Sequence, residues 1–330
     1  MTPFSRRRRQ LLAGCALTAC ASPWAWAREW PSRHVELIVP WPAGGATDLT
    51  IRLLAEHCQT RLGQPVVIRN RPGAAGTLVA PALKQAEPDG HTIGQVPVTV
   101  YRHALMRPVD WNPLIDLQPI IQVSGTTFGL LVPADSPWRH PHELIEWARR
   151  HPGELKLGST GVGSTPHLAM EDILAGLGIP YIHVPYKGTA DQMIAIASGQ
   201  LMAGVNSTGF APWVEQGKMR VLAVFSERRS ALWPDAPTMK EAGFPQAVYT
   251  SPWGFSAPRG TSPALIQRWH DLMREAIHAP AHVEALARYD QHLEYLNTQA
   301  YEQAILQTVE RERRLLRRMN LLHTGDERPT

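Results

Sequence analysis

Cysteine is scarce in this 330-residue chain, occurring only as Cys15, Cys20 and Cys58. The first two lie in a stretch laid out as an export signal. With that stretch removed Cys58 stands alone, which excludes an internal disulfide and any site built on paired thiolates. No run of about 18 or more apolar residues is present to span a membrane. Setting Arg6 to Arg9 aside, the 33 basic residues fall to 29 and equal the 29 acidic ones. The remainder is close to neutral and holds no basic stripe with interleaved aromatics, so a nucleic-acid partner is excluded. No G-x-S-x-G elbow exists for a hydrolase, and His91, His167 and His183 do not have metal-ligand spacing. No metal, cofactor or activated nucleophile is expected.

The N-terminus has a basic segment (Arg6 to Arg9), a short apolar core (Leu11 to Ala21) and a small-x-small site at Ala25 to Ala27, which predicts cleavage after Ala27 and a periplasmic protein. Arg8 and Arg9 followed by Gln10, Leu11 and Leu12 fit the twin-arginine pattern, leaving that route open beside ordinary secretion. Leu17 to Cys20 also fits a lipoprotein site. An anchor at acylated Cys20 is therefore the alternative to a free periplasmic form.

Against these absences stand two strand-to-helix junctions rich in glycine. The first is VELIVPWPAGGATD, Val35 to Asp48; the second is LKLGSTGVGSTPH, Leu155 to His167. Glycines let such a turn form without a Cβ clash, and the N–H groups at the helix start, with the positive end of its dipole, attract a carboxylate or phosphate. The second junction has no lysine after Gly163 and no third glycine, so neither nucleotide fingerprint is met. Thr165 reads as its N-cap with Pro166 in the first turn. Asp48 either caps the first helix or orients a ligand's ammonium group. Tyr186 and Lys187, at the end of a strand, and Asn206, at the end of the next, stand where open α/β sheets collect ligands; as a plain structural reading, Tyr186 packs and Lys187 is solvated.

Strand-like and helix-like runs alternate throughout, predicting an α/β chain, and the βαβαβ order of the runs from Leu37 to Val96 implies a parallel sheet with helices on both faces. Leu37 to Val39 precedes a helix from Asp48 to Leu62, whose Leu49, Leu53, Leu54, Cys58 and Leu62 form an apolar stripe. Val66 to Ile68, a helix from Thr77 to Ala86, and His91 to Val96 follow, then a loop from Pro97 to Tyr101. The runs Ile120 to Val123 and Phe128 to Val132 flank a crossing into a second α/β unit, and the pattern crosses back near Tyr249 to Ala257. Three C-terminal helices end the chain. The expected layout is a signal at 1–27, one lobe from 28–125 and 252–330, and a second lobe at 126–251, with two hinge crossings.

The segments Val39 to Asp48 (VPWPAGGATD), Leu62 to Gly73 (LGQPVVIRNRPG), Pro88 to Thr92 (PDGHT), His183 to Gly188 (HVPYKG) and Trp233 to Gly243 (WPDAPTMKEAG) together resemble the Bug family, the periplasmic solute receptors of tripartite tricarboxylate transporters. The resemblance spans nearly the whole exported chain. It implies a two-lobed Venus flytrap of the type II periplasmic binding protein class, which closes on a small organic acid and presents it to a membrane permease without catalysis. It places the ligand against the first-lobe loop Trp41 to Thr47, with Trp41, Ala43, Gly44, Gly45 and Thr47, next to the candidate Asp48. From the second lobe it adds Ser159, Thr160, Gly161, Val162, Gly163 and Ser164, with His167 nearby and Tyr186 and Asn206 at the border.

Two departures from the family pattern bear on the ligand. Met202 and Asn206 stand where many relatives have acidic residues, so a mono- or dicarboxylate or an aromatic acid is expected rather than an amino acid. Pro97 to Tyr101 is bulkier than the usual glycine, serine and threonine. The expected form is a monomeric receptor. A sensor that signals through a partner is the alternative, and an exported hydrolase or transferase would need a nucleophile-base pair that the sequence does not display.

Overall fold

The computed structural model describes residues 30–323; the export signal, Cys20 and Ala27 lie outside them. The first part of the chain forms β1 (Val35–Val39), α1 (Ala46–Leu62), β2 (Val66–Asn70), α2 (Val79–Lys84), β3 (Thr92–Pro97), α3 (Val98–Met106), α4 (Pro113–Asp116) and β4 (Leu117–Thr126). The second part forms β5 (Phe128–Pro133), α5 (Pro141–Arg150), β6 (Lys156–Ser159), α6 (Thr165–Gly176), β7 (Ile182–Pro185), α7 (Thr189–Ala197), β8 (Ala203–Ser207), α8 (Ala211–Glu215) and β9 (Met219–Val224). The last part supplies β10 (Ser251–Pro258), α9 (Pro263–Ile277), α10 (Pro280–Arg288), β11 (Gln291–Leu296) and α11 (Thr298–Arg318).

These strands make two sheets, a six-stranded one ordered β11-β4-β10-β3-β1-β2 and a five-stranded one ordered β7-β6-β8-β5-β9. The chain leaves the first sheet between Thr126 and Phe128 and returns to it at Ser251. Two extended segments therefore join two lobes. The parallel sheet expected from the βαβαβ order of Leu37 to Val96 is present: β2, β1 and β3 pair in parallel, as do β7, β6 and β8, while β10, β4 and β11 run antiparallel, and β5 is antiparallel to β8 and β9. A right-handed crossover through a helix keeps strands parallel, whereas a strand entering straight from the other lobe is free to run backwards.

Helices cover both faces of the first sheet. On one face Ile51, Leu54, Ala55 and Cys58 of α1 pack with Trp269 and Met273 of α9 over Val35, Leu37 and Val39. The apolar stripe of α1 in this cluster is thus Ile51, Leu54, Ala55 and Cys58, whereas Leu49, expected in the stripe, is exposed and lines the cleft. On the other face, Val79 and Leu83 of α2, Val100 and Leu105 of α3, and Ile305, Val309 and Leu316 of α11 share one cluster with Leu168 from α6 of the second lobe. Each fully buried side chain of this size contributes about 1.5–3 kcal/mol of transfer free energy.

The segment Pro97 to Tyr101, read as a loop, opens helix α3 with Pro97 as its N-cap. Val98, Thr99, Val100, Tyr101, Arg102 and His103 are all buried. A helix enclosed on every side carries no amphipathic period, and its β-branched run lowers intrinsic helix propensity; packing overrides both. Cys58 is fully buried, and burial first, then the nearby Glu275 carboxylate, pushes its thiol up to about 12. The native protein is expected to resist an aromatic disulfide reagent at about pH 8 and to react fast once unfolded. Fast native labelling in a stopped-flow assay would contradict this packing.

Candidate functional site

Between the sheets lies a cavity of about 450 Å³, within the range of small-molecule sites. Its first-lobe wall is the β1–α1 junction: Trp41, Pro42, Ala43, Gly44, Gly45, Ala46, Thr47 and Asp48 all line it. Helix α1 has Gly45 as its N-cap and no side-chain cap. Its first-turn N–H groups have no carbonyl one turn back to receive them, and the residues that carry them, Ala46, Thr47 and Asp48, line the cavity.

Asp48 is the third helical residue and is fully buried, so it is not the N-cap. Its carboxylate reaches back to accept from Gly44 N at 2.9 Å, and also accepts from Asn70 Nδ2 at 2.8 Å and Arg52 Nε at 2.8 Å. Burial alone would raise its pKa, but the hydrogen bonds from Arg52, Asn70 and Gly44 outweigh that and hold it below the usual carboxylate range. The Gly44 donor is thereby used inside the protein. Asn70 Nδ2 also binds Trp41 O at 2.9 Å, which fixes the far side of the loop.

The second-lobe wall takes fewer of the expected residues. Thr160, Ser164 and Asn206 line the cavity, whereas Ser159, Gly161, Val162, Gly163, His167 and Tyr186 do not. Ser164, not Thr165, is the N-cap of α6, its hydroxyl accepting from His167 N at 3.3 Å. Thr165 already has helical geometry, and its Oγ1 accepts from Arg102 of α3 at 3.1 Å. Gly163 N donates to His167 Nδ1 at 3.2 Å and Gly161 N to Ser159 Oγ at 3.2 Å, so these donors also serve the loop itself. Val162 is exposed, and Tyr186 is half-buried against the cluster around Phe210 and Met193. Asn206 is fully buried, donating to Gln192 Oε1 at 2.5 Å and accepting from Thr189 Oγ1 at 3.2 Å.

Sequence reasoning missed several wall residues, among them Gln95, Phe128, Met193, Trp213 and Trp253. It also missed a contact between Ser159 Oγ and His183 Nε2 at 2.7 Å. This is no nucleophile-base pair aimed at a substrate: Ser159 is fully buried, its hydroxyl donates to Gly161 O at 3.1 Å, and no carboxylate hydrogen-bonds His183 among the described residues.

His183 instead stacks on His167 with ring centroids 4.0 Å apart, and His103 of α3 approaches Gly163 from the first lobe. Burial lowers all three to about 4; Arg107 and then Arg102 add to this at His103, Arg102 at His167, and His167 at His183. In the unfolded chain a histidine titrates near about 6.5. Between these values the unfolded state binds protons that the folded state does not, so stability rises with pH through that window. The melting temperature is expected to fall as pH drops from about 6.5 to about 4, with no further loss from these groups below it. A His167→Gln variant should show a shallower slope in calorimetry; an unchanged slope would remove these rings from the account.

The family model described as the tripartite tricarboxylate transporter family receptor matches residues 50–321. The chain belongs to this family. A relative from Cupriavidus necator, the UPF0065 protein in gbd 5'region, is 41% identical over 319 residues, covering 96% of this chain and 97% of its own. Among solved structures, the periplasmic binding protein BugD superposes with a TM-score of 0.83 at 26% identity, covering 89% of this chain and 99% of its own. R. palustris Rpa4515 with adipate gives a TM-score of 0.83 at 27% identity, covering 88% and 99%. The receptor family's fold, two α/β lobes joined by two crossings, is the fold described above. It is a fold of substrate-binding receptors rather than of enzymes.

Proposed function

We propose that this protein is a periplasmic receptor that captures a small organic carboxylate between its lobes and delivers it to the permease of a tripartite transporter. The observation that carries this reading is the cavity between the two sheets, walled on one side by the start of α1, which no side chain caps. A buried carboxylate is costly unless it is well hydrogen-bonded, and a helix start supplies donors without a counter-charge that would hold the acid too tightly to release. The ligand touches both lobes only when they are closed, so it shifts an open–closed equilibrium toward the closed form.

On this reading the mature chain starts at Arg28, the lobes are 28–125 with 252–330 and 126–251, and the protein works as a monomer without catalysis. Sheet membership and the export-type N-terminus support these limits. Trp41, Ala43, Gly45, Thr47, Thr160 and Ser164 contact the acid; Gly44, Asp48, Ser159, Gly161, Val162, Gly163, His167, Tyr186 and Asn206 shape the two loops and the wall behind them. Adipate, the ligand of the R. palustris relative, marks the size of acid to try first.

A thermal-shift panel of organic acids against the purified mature protein tests the reading. Ligand at about 100 times its Kd adds about 2.7 kcal/mol of stability and so a clear rise in Tm. Saturable stabilisation by an acid, confirmed by calorimetry, is the expected result. Stabilisation by amino acids alone would overturn the substrate class.

A further inference from the structure

The cavity offers the starts of α1, α6 and α7 to an anion but no side-chain cation with which to neutralise a second carboxylate. Among the described residues that line it there is no lysine, arginine or histidine, and the one side chain carrying a formal charge is Asp48, already saturated by Gly44, Asn70 and Arg52. A second ligand carboxylate lying away from the helix starts would stand among Phe128, Met193 and Trp213, apolar surroundings in which an unpaired anion is disfavoured.

The wall of the first lobe nevertheless contains two polar atoms without partners. Trp253 on β10 and Gln95 on β3 both line the cavity and are 2% and 1% exposed. The indole Nε1 of Trp253 and Oε1 of Gln95 have no hydrogen-bond partner. The strand register places them together: Trp253 pairs with Pro97 and Phe255 with Gln95, so Trp253 and Gln95 are diagonal neighbours on one face, the face covered by α1. One atom is a donor only and the other an acceptor. Leaving both unmade in a closed site is unfavourable, and a hydroxyl is the smallest group that satisfies both at once.

We infer that the ligand is a monocarboxylate with a compact apolar body and a neutral hydroxyl group, the carboxylate lying at the start of α1 and the hydroxyl between Trp253 Nε1 and Gln95 Oε1. This rests on the receptor function proposed above and narrows its substrate class. A cavity of about 450 Å³ admits a six-carbon chain or a single ring.

The test is calorimetry on the mature protein, unfolded and refolded to strip any trapped acid, with two matched series: hexanoate, 6-hydroxyhexanoate and adipate; benzoate, 4-hydroxybenzoate and terephthalate. In at least one series the hydroxy acid should bind about tenfold or more tighter than both its parent and its dicarboxylate, the free-energy scale of one good hydrogen bond. In Trp253→Phe the ratio of hydroxy-acid to parent affinity should fall to about one. Gln95→Leu should do the same, and it decides the matter where the tryptophan variant fails to fold. A dicarboxylate that binds as tightly as the hydroxy acid, or a ratio that survives both variants, overturns the inference and leaves the receptor reading standing. Binding of none of the six acids overturns the carboxylate-receptor reading itself and the inference with it.

Discussion

Replacing Gly188 by threonine is expected to lower acid affinity by roughly a hundredfold, a change of about 2.7 kcal/mol, with little change in the stability of the ligand-free protein. Gly188 is the N-cap of α7 in the second lobe, with extended backbone (φ −170°) that any residue adopts. Threonine caps a helix about as well as glycine, so the second lobe has no local reason to weaken. Across the cleft, however, a Cβ at this position would stand 2.4 Å from Pro42 Cγ and 2.9 Å from Pro42 Cδ in the β1–α1 loop. That ring is tied to the backbone that presents the helix start, so it cannot move aside without disturbing the wall that holds the carboxylate. The closed state is penalised and the open state is not, and by population shift the penalty appears directly as lost affinity. Titration calorimetry gives the affinity, and small-angle scattering reports whether saturating acid still compacts the molecule. Affinity within a factor of about three of the parent protein would show that closure does not bring Gly188 against Pro42.

The difference between what could be read along the chain and what could not follows from the range of the interactions. Local rules located the two glycine-rich junctions, the crossing between Ile120 and Phe128, and helix α5 at its observed limits, Pro141–Arg150. These depend on neighbours within a turn or a strand. The same rules placed a loop where α3 stands, since Val98, Thr99, Val100 and Tyr101 lack helical periodicity and are buried on all sides. They assigned the α6 cap to Thr165 because the residue before a proline at the first helical position is the usual cap; here Pro166 is the second helical residue and Ser164 takes the role. Most of the cavity wall was out of reach. Gln95 and Trp253 become neighbours only through the antiparallel return of β10 onto β3, and Trp213 reaches the cavity from a short helix without a spacing signal. Anion-friendly loops announce themselves in sequence; the surfaces that choose among anions are assembled by topology.

The largest loss of stability is expected from Arg102→Ala, about 3–5 kcal/mol in chemical denaturation. Arg102 lies on α3, buried, and its guanidinium grips Glu312 of α11 in bidentate fashion, Nε to Oε2 at 2.7 Å and Nη2 to Oε1 at 3.1 Å. Its remaining nitrogen, Nη1, crosses to the second lobe and donates to Gly163 O at 3.0 Å and Thr165 Oγ1 at 3.1 Å. One side chain thus ties two helices of the first lobe to the loop that opens α6. Removing it strands a buried carboxylate and frees a buried carbonyl, and both lose their partners without gaining water. Near its C-terminal end α11 meets α6 again through Arg318, which holds Asp172 at 2.7 Å while Tyr249 donates to the same carboxylate at 2.7 Å. Arg318 is more than half exposed, so that contact adds little by itself. A double variant, Arg102→Met with Glu312→Leu, separates the meaning of the buried pair from its cost. Apolar side chains of similar length can fill the site without stranding a charge, and stability should return to within about 1–2 kcal/mol of the parent. The double variant still lacks the strut to Gly163 and Thr165, so its acid affinity should remain lowered although its fold has recovered. Recovery of affinity together with stability would show that Arg102 holds the protein together and has no part in setting the second-lobe loop; loss of affinity alone assigns it the task of positioning that loop.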